Sequence, residues 1–215
     1  MASNNVITCL EDIESEAFKI LPRNALDYYR SGANQMISLR ENRTAFQKSE
    51  SFTTQIQNLN SISFSRLKLL PRMMIDVSHR SMKTTVLGTE ISMPIGIAPT
   101  AMQKMAHPEG ECAAARAAEK AGTLFIMSTI STSSIEEVAS AAPKALKWFQ
   151  LYIYKDREVT ANLVHRAERA GFKAIVLTVD APYFGRRLAD VKNKFKLPAH
   201  LNMANFVGLG AAETQ

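Results

Sequence analysis

Cysteine is scarce in this chain of 215 residues, where Cys9 and Cys112 stand far apart in sequence. Two unclustered thiols offer neither a disulfide framework nor metal-ligand spacing, and they point to a reducing compartment with no bound metal. Long apolar runs are lacking as well. No stretch approaches the roughly 20 residues of a membrane-spanning helix, and the opening "MASNNVITCLEDIESEAF" carries acids where a secretory leader would be apolar. Neither a membrane span nor a leader is therefore expected. Massed basic and aromatic clusters are missing too. The net charge is +6 and the pI about 9.4, but the cations are scattered through stretches such as "LPRNALDYYR" and "GRRLADVKNKFK". A solvated basic surface fits that pattern better than a nucleic-acid site. Finally, no glycine-rich loop joins a strand to a helix, which argues against an autonomous four-stranded nucleotide-binding module.

What is present is ordinary for a globular protein, 46% hydrophobic and 21% charged, and long enough for one domain with a real core. From Met93 onward a strand-helix unit repeats. "PIGIAPT" (94–100) reads as a strand, and "HPEGECAAARAAEKAG" as a helix starting near His107 and Pro108 and ending at Gly122. "LFIMST" (124–129) is a second strand, and "SSIEEVASAAP" a helix with Ser133 and Glu136 in capping-box spacing and Pro143 as its stop. "LKWFQLY" (146–152) is a third strand, after which Asp156 caps a helix with Val159, Leu163, Ala167 and Ala170 on one face. "AIVLTVD" (174–180) is the fourth. Strands without alternation, each followed by an amphipathic helix, predict a parallel sheet covered by helices, its strands neighbours in chain order. Spacing alone leaves open a small four-stranded sheet or the first half of an eight-unit barrel, which needs about 250 residues.

The third strand poses a question. An unpaired buried amide costs about 1–3 kcal/mol, yet "LKWFQLYIYKD" places Gln150, Tyr152 and Tyr154 towards its downstream end. In parallel α/β architectures polar functional groups gather at the carboxyl ends of strands. Pro99-Thr100-Ala101, Ser128, Gln150-Tyr152 and Thr178-Asp180 fall there on four consecutive strands, which points to a ligand floor. Upstream, Thr8 and Glu11 bracket a first helix start, Pro22 opens a second helix closed by Gly32, and "TTVLGTEIS" (84–92) reads as a hairpin around Gly88. The polar stretch at 47–64 has no stable periodicity and reads as a loop or disordered insert.

The ordered motifs "LPRNALDYYRSGA", "ENRTAF", "LPRMMIDVS", "SMPIGIAPTAMQKMAHPEGE", "TSSIEEVA", "WFQLYIYKDREVT" and "RAGFKAIVLTVDAPYFGRRLADVKNKFKLP" resemble the FMN-dependent α-hydroxy-acid oxidase family, of the glycolate oxidase and 2-hydroxyacid oxidase kind. The resemblance implies a (β/α)₈ barrel, here its first four β/α units behind an N-terminal helical segment. It gives one incomplete domain: helices and hairpin over 1–93 with the insert at 47–64, β/α units over 94–206, and a divergent tail at 207–215. It implies FMN as cofactor and oxidation of an (S)-2-hydroxy acid, glycolate-like or longer, to a 2-oxo acid with O₂ as acceptor. By motif position the backbone of Pro99, Thr100 and Ala101 would support the flavin ring. Ser128, Gln150 and Thr178 would bond its polar edge, and Tyr28, Tyr152 and Arg187 would meet the substrate.

Three departures accompany the resemblance: the insert, Ile130 in "STISTSS" where relatives often have a tryptophan, and a family pattern that dissolves after "MANF". The family's histidine base lies in a motif, SNHGxRQLD, that His79, His107, His165 and His200 do not match. The expectation is thus a family member cut short, with no catalytic base of its own. The alternative is an inactive form that pairs with another chain, in line with the family's homo-oligomers. The family's placement is peroxisomal; without its Ser-Lys-Leu-like ending, a cytoplasmic chain is the other expectation.

Overall fold

The computed structural model describes residues 6–44, 73–180 and 185–208, so the stretch at 47–64 lies outside the described residues. In chain order the elements are helices α1 (Leu10–Ile20), α2 (Arg23–Arg30) and α3 (Ile37–Thr44), then strands β1 (Thr84–Val86) and β2 (Thr89–Ile91). The alternating part follows as α4 (Gly110–Ala121), β3 (Leu124–Met127), α5 (Ile135–Ala141), β4 (Leu146–Leu151), α6 (Arg157–Arg169) and β5 (Ala174–Leu177), with α7 (Leu188–Asn193) last. The chain divides into two compact units, Met1–His79 with Phe184–Phe195, and Arg80–Tyr183 with Lys196–Gln215.

The first unit holds α1, α2, α3 and α7. Helix α1 begins one residue later than the Thr8–Glu11 spacing predicts, because Asp12 rather than Glu11 turns back to accept from the Thr8 and Cys9 N–H groups, at 2.8 and 3.2 Å. Those bonds hold the Asp12 carboxyl down at about 2. Helix α2 starts after Pro22, which has no N–H to waste at a helix start, and packs along α7.

The second unit carries the sheet. Strands β3, β4 and β5 are parallel and adjacent in chain order, with Phe125 beside Lys147, Phe149 beside Ile175 and Leu151 beside Leu177. The expected first strand at 94–99 takes its place beside β3 but pairs only at Ile97, whose N–H and C=O bond Leu124 O and Ile126 N at 2.8 and 2.9 Å. Pro94 and Pro99 bracket it, and neither has an N–H for the ladder. Phe125, Met127, Phe149 and Leu151 point to one face and form the core with Ala115 and Ala118 of α4, Ile135 and Val138 of α5, and Val159, Leu163 and Ala167 of α6.

Helix ends follow local chemistry. The capping box of α5 is Ser134 with Glu137, one residue beyond the predicted pair: Ser134 Oγ accepts from Glu137 N at 3.1 Å and Glu137 accepts in return at 2.6 Å. Asp156 caps α6 by accepting from Glu158 N at 2.8 Å. The hairpin β1–β2 turns through Leu87 and Gly88, both at positive φ (42° and 77°), which is the backbone a two-residue turn between twisted strands needs.

Candidate functional site

The side chains of alternate residues on β3, β4 and β5 face away from the helices, and at the carboxyl ends of the strands these are Ser128, Gln150 and Thr178. The three form a hydrogen-bonded row. Gln150 Oε1 accepts from the Thr129 N–H at 3.1 Å and from Ser128 Oγ at 3.5 Å, while Gln150 Nε2 donates to Thr178 Oγ1 at 2.9 Å. Thr129 Oγ1 donates to the Gln150 carbonyl, and Ile130 N donates to Ser128 Oγ at 3.2 Å. The amide in the middle of an apolar strand is therefore partnered at both its oxygen and its nitrogen, which explains how it can be buried.

Ser128 and Gln150 are buried, whereas Thr178 is half-buried. Thr178 Oγ1 accepts from Gln150, so its own hydrogen is turned away from the row and can donate outward. Pro99 and Thr100 are exposed and Ala101 half-buried, as an open backbone shelf requires. Tyr152, one residue past β4, is also half-buried. A row of groups that both donate and accept, beside exposed backbone, fits the alternating C=O and N–H edge of a flavin ring.

In the first unit the structure brings Tyr28 and Arg187 together. Tyr28, on α2, stacks on Phe195 with ring centres 4.9 Å apart, and the Arg187 guanidinium carbon lies 4.9 Å from the Tyr28 ring centre. Arg187 stands at the N-terminal cap of α7, with Asp190 3.9 Å away. Asp27 on α2 accepts from Asn193 of α7 at 2.8 Å and from Arg23 at 2.6 Å, bonds that lower its pKa. Arg187 is exposed, its guanidinium lying over the Tyr28 ring with Asp190 at the edge of ion-pair range.

Residues without a sequence-based role divide clearly. Tyr154 packs edge-on against Phe206 at 5.3 Å, and burial pushes its hydroxyl up to about 12, a structural tyrosine as its lack of a motif role suggests. His107 accepts from Glu109 N at 3.2 Å near the start of α4, and His165 is exposed on α6. Among the buried polar residues that the sequence reading does not single out, two stand apart. Glu111, a first-turn acid of α4, and Asn205, in a short 3₁₀ turn at Ala204–Phe206, are both fully buried. Their only sequence signal is a polar residue where helical phase or an aromatic neighbour predicts burial. Among the described residues there is no cluster of His, Cys, Asp or Glu fit for a metal ion, and no helix long and apolar enough to cross a membrane.

Known proteins resemble this chain over most of its length. Residues 49–214 match the family model described as FMN-dependent dehydrogenase. Glycolate oxidase 1 of Zea mays is 54% identical over 203 residues, covering 94% of this chain and 50% of that protein. 2-Hydroxyacid oxidase 1 of Homo sapiens is 50% identical over 200 residues, covering 93% and 49%. The chain thus spans about half the length of the curated relatives it matches. Among solved structures, mandelate oxidase with benzoyl-formic acid superposes with a TM-score of 0.81 at 37% identity, over 94% of this chain and 54% of that one. A mutant of an active chimera of (S)-mandelate dehydrogenase gives 0.81 at 36%, over 93% and 51%. The fold read from the sequence, the first units of a (β/α)₈ barrel behind a helical segment, is borne out.

Proposed function

Because the chain belongs to the FMN-dependent dehydrogenase family, we propose that it carries the flavin-ring side of an (S)-2-hydroxy-acid oxidase. Its substrate would be a glycolate-like or longer hydroxy acid, its product the 2-oxo acid, and its acceptor O₂. The observation that carries this reading is the Ser128–Gln150–Thr178 row at the carboxyl ends of three parallel strands. FMN, when bound, would supply the two-electron redox chemistry that links substrate and acceptor. This chain's residues would hold and orient. Pro99, Thr100 and Ala101 offer backbone to the ring, and Gln150 fixes Thr178 as an outward donor from beneath. Arg187, steadied on Tyr28, has the planar fork that a substrate carboxylate takes in two bonds. Tyr28 and Tyr152 add hydroxyls for the substrate's oxygens. Peroxisomal residence is the placement the family favours.

A second reading, a chain inactive alone that pairs with another, draws support from the open apolar side of β5, where Ile175, Leu177 and Val179 are exposed. One experiment separates them. Titrate the chain with FMN and assay peroxide release from glycolate, alone and fused to the second half of the maize relative. Turnover by the chain alone would remove the second reading. A yellow, active fusion beside a colourless single chain supports both halves of the argument. A fusion that binds FMN but oxidises no 2-hydroxy acid would sink the proposed substrate class. In the active fusion, Ile130→Trp should shift the preference from longer hydroxy acids towards glycolate by roughly 10–200-fold.

A further inference from the structure

The loop from Thr129 to Ser133 is unusual in being polar and buried: Thr129, Ser131, Thr132 and Ser133 are all buried, and only Ile130 is half-exposed. A buried loop must find partners for its backbone and hydroxyl groups, because it has no ladder or helix to satisfy them. Gln150 and Ser128 of the ligand floor take the Thr129 and Ile130 N–H groups, and two side chains outside that floor supply partners for the rest of the loop.

Glu111 grips the loop from α4. Its Oε1 accepts from Thr132 N at 2.9 Å and from Gln103 N at 2.9 Å, and its Oε2 accepts from Ser133 Oγ at 2.9 Å. Thr132 Oγ1 lies 3.0 Å from both carboxylate oxygens and itself accepts from Lys104 N at 3.0 Å. Met102 N adds a bond to Ile130 O at 3.0 Å. One carboxylate therefore joins two strand-end loops, the one that follows Pro99–Ala101 and the one that carries Ile130. The approach is tight: a Cβ on Gly110, at φ +43°, would stand 2.9 Å from Lys104 N.

Asn205 grips the same loop from the other side. Its Nδ2 gives both hydrogens, to Thr129 O at 3.1 Å and Ser131 Oγ at 2.9 Å, and its Oδ1 accepts from Ile135 N at 3.0 Å. Ala204 N donates to Ser131 O at 3.0 Å, and Arg166 Nη1 anchors the turn by donating to Asn205 O at 2.8 Å.

We propose that Glu111 and Asn205 are positioning residues that clamp the Thr129–Ser133 loop and tie it to the Ala98–Met105 loop, so that Ile130 and the Pro99–Ala101 backbone keep one fixed geometry. The proposal rests on the oxidase reading only for the job it gives those loops. The clamp itself is tested without flavin or substrate, by site-resolved amide hydrogen exchange on the chain as it stands. Glu111→Ala should speed exchange at the Gln103 and Thr132 amides by roughly 10- to 100-fold, with the Phe149 and Val176 amides unchanged. Glu111→Gln should restore most of the protection, since an amide oxygen can accept from both N–H groups while its nitrogen donates to the Thr132 and Ser133 hydroxyls. Glu111→Leu, similar in bulk, should not. Asn205→Asp sets an acceptor against Thr129 O and should speed exchange at Ala204 by roughly tenfold or more, leaving the Ile135 amide protected. The proposal is overturned if Glu111→Gln exchanges as fast as Glu111→Leu, or if Gln103 and Thr132 open only in step with Phe149. Should the Ala and Leu variants fail to fold, Asn205→Asp decides: an unchanged Ala204 amide ends the proposal. A failed oxidase assay with an intact clamp would leave the loops fixed and remove only their assigned task.

Discussion

Strands β4 and β5 are neighbours in register, carry the same kind of residue on the same face, and meet opposite fates. Phe149 and Leu151 on β4 are 0% and 5% exposed; beside them on β5, Ile175 and Leu177 are 41% and 46% exposed. The difference is cover. Helices α4, α5 and α6 close over β3 and β4, while no described element of that unit closes over β5. Side-chain type thus announces burial on both strands, and only the neighbouring layer decides whether it is realised.

Core truncation gives the widest contrast between the strands. Phe149→Ala should destabilise the unit by about 3–5 kcal/mol and Leu177→Ala by about 1 kcal/mol or less. Trp148, the chain's one tryptophan, lies on β4 and reports both in urea titrations; equal losses would break the comparison. Next in size is the polar row that crosses the two strands. Gln150→Leu leaves the Thr129 N–H without its acceptor and should cost about 1–3 kcal/mol, whereas Thr178→Val at the β5 end should cost about 0.5–1.5 kcal/mol.

A smaller effect lies on the covered side, where Arg166 of α6 makes two 2.8 Å bonds to Glu136 of α5. The paired guanidinium lowers the Glu136 carboxyl from 4.5 to about 2. A folded-state pKa below the unfolded one stabilises above pH 4.5, and that contribution fades as pH falls from 4.5 towards 2. Glu136 is about half exposed, so screening keeps the contribution under about 1 kcal/mol. Glu136→Gln should flatten that part of the stability–pH curve. The smallest change in folding free energy is expected for Leu177→Lys on the open face, within about 0.5 kcal/mol. Its readout is association: light scattering at high concentration should fall if the bare face of β5 causes self-association.

Strand positions, helix phases and the hairpin were legible because burial imposes a period on the sequence, as Val159, Leu163 and Ala167 illustrate. Cap positions slipped by one residue at α1 and α5 because Ser133 and Ser134, or Glu11 and Asp12, are chemically interchangeable until backbone direction selects one. The length of the first strand's pairing was hidden because a proline limits a ladder only on the side it faces. At the site, the row on Gln150 could be read from strand ends. Glu111 and Asn205 could not, since their partners, Gln103 apart, are at least 21 and 70 residues away and half of those bonds run to backbone groups.

Lys147 sits at the other end of β4, buried on the core side, its ammonium held by the Ala142 and Ala145 carbonyls at 2.6 and 3.1 Å. Burial lowers its pKa, and the two carbonyls keep the side chain out of reach of reagents in solution. That pairing makes it a chemical clock. Acylation of Lys147 can proceed only through openings of β4, so its labelling rate, followed by peptide mass, counts how often that strand comes apart.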